Sequence, residues 1–305
     1  MKLSKKVKEI LSHYEGENPG VKANLARIMM EGRLGGTGKL VILPVDQGFE
    51  HGPDASFAKN PEAYDPEYHI KLAIDAQLSA YASVYGMLQA VSDTYAGAIP
   101  TILKVNSCNL LVPSGADQAI TASVKDALRL GCSAIGFTIY PGSESSLAQF
   151  EEIREMSEEA RANGLAVVIW SYARGPKLDK HAETAVDVIS YAAHMATLLG
   201  AHIIKVKPPT AHFGYDKGKA ALAGEDLSTL TKRIAHVKKV CFNGKRIVVF
   251  SGGEAKDTPT LLNEIREIRD GGGNGSIIGR NAFQRPREEA LTLLGDIVDI
   301  YLGKK

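Results

Sequence analysis

The sequence predicts an α/β fold: a (β/α)8 TIM barrel with an N-terminal helical extension. Three observations predict it. Short apolar runs rich in β-branched residues recur along the chain, and there are eight of them. Amphipathic stretches separate most of these runs, and strands alternating with helices build a parallel sheet. Nearly every run turns polar at its C-terminal end, as happens where a closed barrel gathers its strand ends at one mouth. A long doubly wound sheet would share the alternation, but a count of eight favours the barrel. No Pro/Ser linker or change of composition divides the 305 residues, so 38–305 read as a single (β/α)8 barrel domain.

The elements follow in order. Residues 1–37 form the extension. Val7, Ile10, Leu11 and Tyr14 fall at helical spacing, which predicts a docking helix, and the segment ends in the Gly-rich GRLGGTGK. The eight runs are KLVILPVD (39–46), AYASVYG (80–86), PTILKVN (100–106), SAIGFTIYPG (133–142), LAVVIWSY (165–172), HIIKVKPP (202–209), RIVVFSGG (246–253) and GSIIGR (275–280). ASVKDALRL is the helix before the fourth run. SLAQFEEIREMSEEARANG and AETAVDVISYAAHMATLLG precede the fifth and sixth, each closing on a Gly that can take a left-handed C-cap. TPTLLNEIREIRDGGG precedes the eighth, and PREEALTLLGDIVDIYLG closes the chain. Two connections are long, residues 47–66 and the stretch SCNLLVPSGADQAITAS. In a barrel such loops gather at the C-terminal face, where active sites are built.

Composition excludes several classes. Net charge is +1 with the signs interspersed, so there is no electrostatic footprint for nucleic acid or an anionic membrane. No apolar run approaches the ~18 residues of a membrane span. Charges interrupt the N-terminus, so it is no signal peptide. Cys108, Cys132 and Cys241 are far apart without a C-x-x-C, which reads as free thiols in the reducing cytoplasm. The histidines show no H-x-x-x-H and no carboxylate at ligand spacing, so no metal site is expected.

The strand ends carry the chemistry. The first ends in Asp46, the third in Lys104 and Asn106, and the fourth in Thr138 and Tyr140. The fifth ends in Trp170, Tyr172 and Arg174, and the sixth carries Lys205 and Lys207. The seventh ends Ser251-Gly252-Gly253 and the eighth Gly279-Arg280. Glycines free the backbone N–H groups to approach an anion, and a guanidinium grips phosphate oxygens in bidentate fashion. The loops after strands seven and eight are the usual phosphate cradle of such barrels, so a phosphorylated small molecule is expected. His51, in the first loop, is a further candidate for ligand contact.

Lys205 and Lys207 share a face because successive strand residues point to opposite sides. Ile204 and Val206 suit the helix-covered outside, so the lysines point into the barrel. Burying an ammonium is costly unless it is paired or neutralised. Desolvation and a neighbouring cation lower its pKa, and a neutral amine attacks carbonyls. A salt bridge to a buried carboxylate such as Asp46 is the structural alternative. Parity does not choose between the two lysines; Lys205 lies one layer deeper and Lys207 nearer the mouth. Imine chemistry needs a general acid/base, and Tyr172 and Asp46 are the candidates.

Taken together, LPVDQGFEHGPDASF, TIYPGS, WSYARG, IIKVKPP, SGG and GRNAFQR resemble the archaeal-type class I fructose-bisphosphate aldolases, which also occur in bacteria. The resemblance covers about residues 38–300. It implies a metal-independent lyase that reversibly cleaves fructose 1,6-bisphosphate to dihydroxyacetone phosphate and glyceraldehyde 3-phosphate. It also implies Lys205 as the Schiff-base lysine, with no cofactor beyond that imine. Tyr172 would be the proton-transfer residue, and Asp46 would hold the lysine and the substrate hydroxyls. Trp170 would line the sugar pocket. Ser251, Gly252, Gly253, Gly279 and Arg280 would bind the ketose phosphate and Arg174 the distal one; apart from the resemblance, the loop position of His51 and the place of Lys207 near the mouth make both candidates for substrate contact. A homo-oligomer follows, often a decamer. The Pro208-Pro209 turn departs from the Gly-containing turn of that family. A lysine-dependent, transaldolase-like enzyme for another phosphoketose is the alternative, ahead of a non-catalytic phosphosugar-binding barrel.

Overall fold

The computed structural model describes residues 2–111, 116–252 and 256–305. Eight parallel strands close into a barrel: β1 (Leu40–Val45), β2 (Ala80–Val84), β3 (Thr101–Lys104), β4 (Ala134–Ile139), β5 (Ala166–Ser171), β6 (Ile203–Val206), β7 (Ile247–Ser251) and β8 (Gly275–Ile277). Each pairs with its sequence neighbours, and β8 closes on β1 through Ile42 opposite Ile277. The eight runs expected from the sequence are these eight strands.

Period-two alternation sorts the side chains. Leu40, Ile42, Ala82, Ile102, Val168, Ile203 and Val249 fill the barrel interior. Val41, Leu43, Leu103, Ile135, Val167, Ile204 and Val248 face the surrounding helices. Those helices begin on local signals. Ser123 and Asp126 form a reciprocal capping box at Val124–Arg129, and Asp257 caps Thr258–Asp270. The two glycines expected at helix ends, Gly164 and Gly200, have φ of 78° and 83°, the left-handed conformation such a stop requires.

The extension is two helices, α1 (Lys5–Ser12) and α2 (Pro19–Met30), capped by Ser4 and Asn18. Val7, Ile10, Leu11 and Tyr14 are all buried, though Tyr14 lies in the turn after α1. These helices join the apolar interior of their own barrel at its N-terminal end. The Tyr14 hydroxyl donates to the His202 carbonyl at 2.6 Å and accepts from the Ile247 N–H at 3.1 Å, bridging the starts of β6 and β7. No helix among the described residues is long and apolar enough to cross a membrane.

The two long connections lie at the opposite end. Residues 47–66 fold into short helices, Gln47–Glu50 and Pro53–Phe57, and a 3-10 turn, Pro61–Tyr64. The connection after β3 returns as a two-residue antiparallel ribbon, Asn106–Ser107 against Ala119–Ile120.

Candidate active site

A cavity of about 290 Å³ occupies the C-terminal mouth of the barrel. Asp46, His51, Tyr172, Arg174, Lys205, Lys207, Ser251, Gly252, Gly279 and Arg280 line it, as do Glu50 and Asn281. Strand ends far apart in sequence thus meet in one wall. Gly253, also expected here, lies outside the described residues.

Trp170 is the exception and corrects the expectation that it lines the pocket. It is 2 % exposed and packs below the cavity with the interior side chains. Gly136 on β4 makes room for it: a Cβ there would come within 1.8 Å of the indole. The Lys205 ammonium lies 5.6 Å from the Trp170 ring and 5.4 Å from the Tyr172 ring.

Lys205 is 5 % exposed. Among the described residues its Nζ makes neither ion pair nor hydrogen bond. Burial lowers its pKa from 10.5 to about 8; Asp46 and Glu50 oppose the shift, and Lys104 and Arg280 add to it. The salt-bridged lysine anticipated as an alternative does exist, but it is Lys104. That ammonium is 2.7 Å from Glu50 Oε1 and 3.9 Å from Asp46 Oδ2, and it also donates to the Gln118 side chain and the Asn106 carbonyl. Burial works to raise the Glu50 carboxyl, but the Lys104 charge and the bonds from Lys104 and Gln118 outweigh it and bring the group to about 2. Burial, then the Glu50 charge, raises Asp46. Burial and the Asp46 and Glu50 charges push the Tyr172 phenol well above its ordinary value, so it stays protonated at neutral pH.

Glu50 and Gln118 are not legible as site residues in the sequence, and Lys104 is legible there only as a polar strand end without a role. Lys104 carried the signal already used for Lys205, a lysine sharing the inward face of its strand with an apolar residue, Ile102. Glu50 and Gln118 sit in long loops, where no periodicity says which side chain turns inward.

Elsewhere in the wall, Lys207 is 3.3 Å from Glu183, and the Arg174 guanidinium stands 4.7 Å over the Tyr140 ring. The Ser251 hydroxyl is buried and has no protein partner among the described residues. The Gly252 N–H is committed to the Ile277 carbonyl at 3.3 Å, so it is not free for an anion. Gly279 brings β8 close to β1, where a Cβ would meet the Pro44 carbonyl at 2.8 Å. The chain then turns into a short helix, Arg280–Phe283, whose first N–H groups lack intrahelical acceptors. The described residues hold no cluster of three or more His, Cys, Asp or Glu side chains that could bind a metal ion.

The pattern of the DeoC/LacD family of aldolases matches residues 40–285. The chain belongs to that family. Within it the chain is a relative of the archaeal-type class I fructose-bisphosphate aldolases, as its motifs led one to expect. It is 40% identical over 300 residues to the probable fructose-bisphosphate aldolase class 1 of Chlamydia trachomatis, covering 93% of this chain and 85% of that protein. To the fructose-bisphosphate aldolase class 1 of Thermoproteus tenax it is 35% identical over 270 residues, covering 88% and 92%. Among solved structures it resembles an archaeal fructose-1,6-bisphosphate aldolase whose catalytic Lys is covalently bound to the carbinolamine intermediate of the substrate. The TM-score is 0.75 at 31% identity, over 91% of this chain and 98% of that one.

Proposed function

We propose that this protein is a class I aldolase that reversibly cleaves fructose 1,6-bisphosphate, with Lys205 as the nucleophile. The observation that carries the reading is a buried lysine at the barrel mouth with a pKa of about 8 and no counter-ion in contact. A solved relative with its catalytic Lys bound to the substrate's carbinolamine supports it.

The neutral Lys205 amine adds to the C2 carbonyl of the open-chain ketose, and loss of water from the carbinolamine leaves an iminium. The iminium is the electron sink, so the reading needs no metal and no further cofactor. A base removes the C4 hydroxyl proton, the C3–C4 bond breaks, and its electron pair passes to the iminium to give an enamine. Glyceraldehyde 3-phosphate leaves. Protonation of C3 and hydrolysis of the imine release dihydroxyacetone phosphate and return the amine. Tyr172, protonated and beside Lys205, is the proton-transfer group in this reading. Asp46, between the Lys104 and Lys205 charges, orients the lysine and the substrate hydroxyls.

The unpartnered Ser251 hydroxyl, Gly279 and Arg280 take the ketose phosphate. Arg174 and Lys207, with His51 across the mouth, take the distal one. A cytoplasmic homo-oligomer completes the reading, and light scattering of the purified chain tests the assembly.

Substrate identity is tested with a panel of phosphorylated ketoses and ketose bisphosphates, with and without EDTA. Fructose 1,6-bisphosphate is expected to have the highest kcat/KM, unchanged by the chelator. Another phosphoketose turned over ten or more times faster would keep the lysine chemistry and replace the substrate. Inhibition by EDTA would contradict the mechanism.

A further inference from the structure

At the other end of the barrel a second cavity of about 290 Å³ lies between α1 and the segments leading into β1, β7 and β8. Five cationic side chains line it: Lys6, Lys39, Lys238, Lys245 and Arg246. One carboxylate, Glu9, shares the wall, and Lys6 holds it at 2.8 Å. The other cations that bond to protein here do so through carbonyls and amides. Lys238, nine-tenths buried, donates to the carbonyls of Arg246 at 2.6 Å and Gly244 at 3.5 Å and to the Asn274 side chain. Lys39 donates to the Gly273 carbonyl at 2.6 Å. Arg246 Nη1 donates to the carbonyls of His13 and Lys245, and its guanidinium lies 4.9 Å from the Tyr14 and Phe242 rings. These bonds fix the cations in place without cancelling their charge. Burial lowers the pKa of both Lys39 and Lys238; Lys6 and Arg269 add to the shift at Lys39 against Asp270, and Cys241 opposes the shift at Lys238 while Lys39 and Lys6 add to it. A concave wall with such an excess of one sign focuses the field on its interior.

We propose that this basal cavity is a second ligand site, for a small polyanion of the size and charge of pyrophosphate. Its place in the fold suits an effector. Arg246 stacks on Tyr14, and the Tyr14 hydroxyl bridges the starts of β6 and β7. Strand β6 carries Lys205 three residues beyond the bridged His202. The proposal stands apart from the aldolase reading and survives its failure.

Titration calorimetry of the full chain with inorganic pyrophosphate at low ionic strength tests it. Arg174→Gln, Lys207→Gln and Arg280→Gln together remove the anion grips at the mouth and isolate the basal cavity. In that background pyrophosphate is expected to bind one site per chain. Adding Lys39→Gln with Lys245→Gln is expected to weaken this binding at least tenfold. Lys6→Gln with Lys245→Gln, both exposed positions, is the second pair should the first lower the thermal midpoint. Absence of binding in that triple variant, or unchanged affinity in a folded basal double variant, would overturn the proposal.

Discussion

Lys104 gives its ammonium to Glu50, Gln118 and the Asn106 carbonyl; Lys205, on the same inner face, gives its own to no acceptor among the described residues. One side chain type therefore serves two purposes, decided by which carboxylates are within reach. Lys104 holds Glu50 ionised and leaves Lys205 without a counter-ion, so that burial keeps the Lys205 amine easy to deprotonate. Because its folded pKa lies below its unfolded value, charged Lys205 costs stability below about pH 8. That cost is relieved as pH rises from about 8 towards 10.5. Lys205→Met is accordingly expected to abolish turnover while leaving the thermal midpoint at pH 7 equal or higher. Imine formation should rise about tenfold per pH unit up to about pH 8 and then level off. A rise continuing to pH 10 would contradict the burial argument. Lys104→Met leaves two half-buried carboxyls, Asp46 and Glu50, without their buried cation and should cost about 3 kcal/mol. It should also move the pH midpoint of imine formation upward, because a lowering cation is lost while Asp46 and Glu50 remain. Tyr172→Phe is expected to reduce kcat by roughly 10²–10⁴.

Between strands, the pairing of Gly136 with Trp170 shows how one element sets the shape of another. The indole occupies the space a Cβ at 136 would need, and it lies directly under Lys205. Gly136→Ala is expected to cost about 1–3 kcal/mol by overpacking. Trp170 is the sole tryptophan, so its fluorescence reports the displacement without interference. At the barrel base, Tyr14→Phe leaves the His202 carbonyl and Ile247 N–H unpaired and should cost about 1–3 kcal/mol in a denaturant titration. The strands were legible in the sequence because alternation and strand-end polarity leave a pattern, and for the same reason Asp46, Tyr172, Lys205 and Arg280 could be placed at one mouth. The position of Trp170 was not legible, since it depends on a glycine one strand away that no spacing connects to it. Nor were Glu50 and Gln118, because loops have no period. The second N-terminal helix went unnamed: its apolar residues are buried by the barrel rather than arrayed along a narrow stripe.

Across the whole molecule, chemistry and closure are separated end from end. The C-terminal mouth holds the polar cavity, while α1 and α2 cover the apolar N-terminal opening with Val7, Ile10, Val21, Leu25 and Ile28. These side chains pack against Leu40, Ile42, Ala166 and Ile203, so removing residues 1–31 would expose the barrel interior to water. The shortened chain is expected to aggregate or to lose its cooperative thermal transition. A folded, fully active fragment would show that the extension is dispensable.

Everything at the barrel mouth turns on Lys205 as the nucleophile. That role is tested most directly by incubating the protein with dihydroxyacetone phosphate, reducing with borohydride, digesting, and mapping the adduct by mass spectrometry. A stable adduct is expected on the peptide containing Lys205, absent from Lys205→Met. An adduct on Lys207 or Lys104 instead, or none in folded protein, would contradict it.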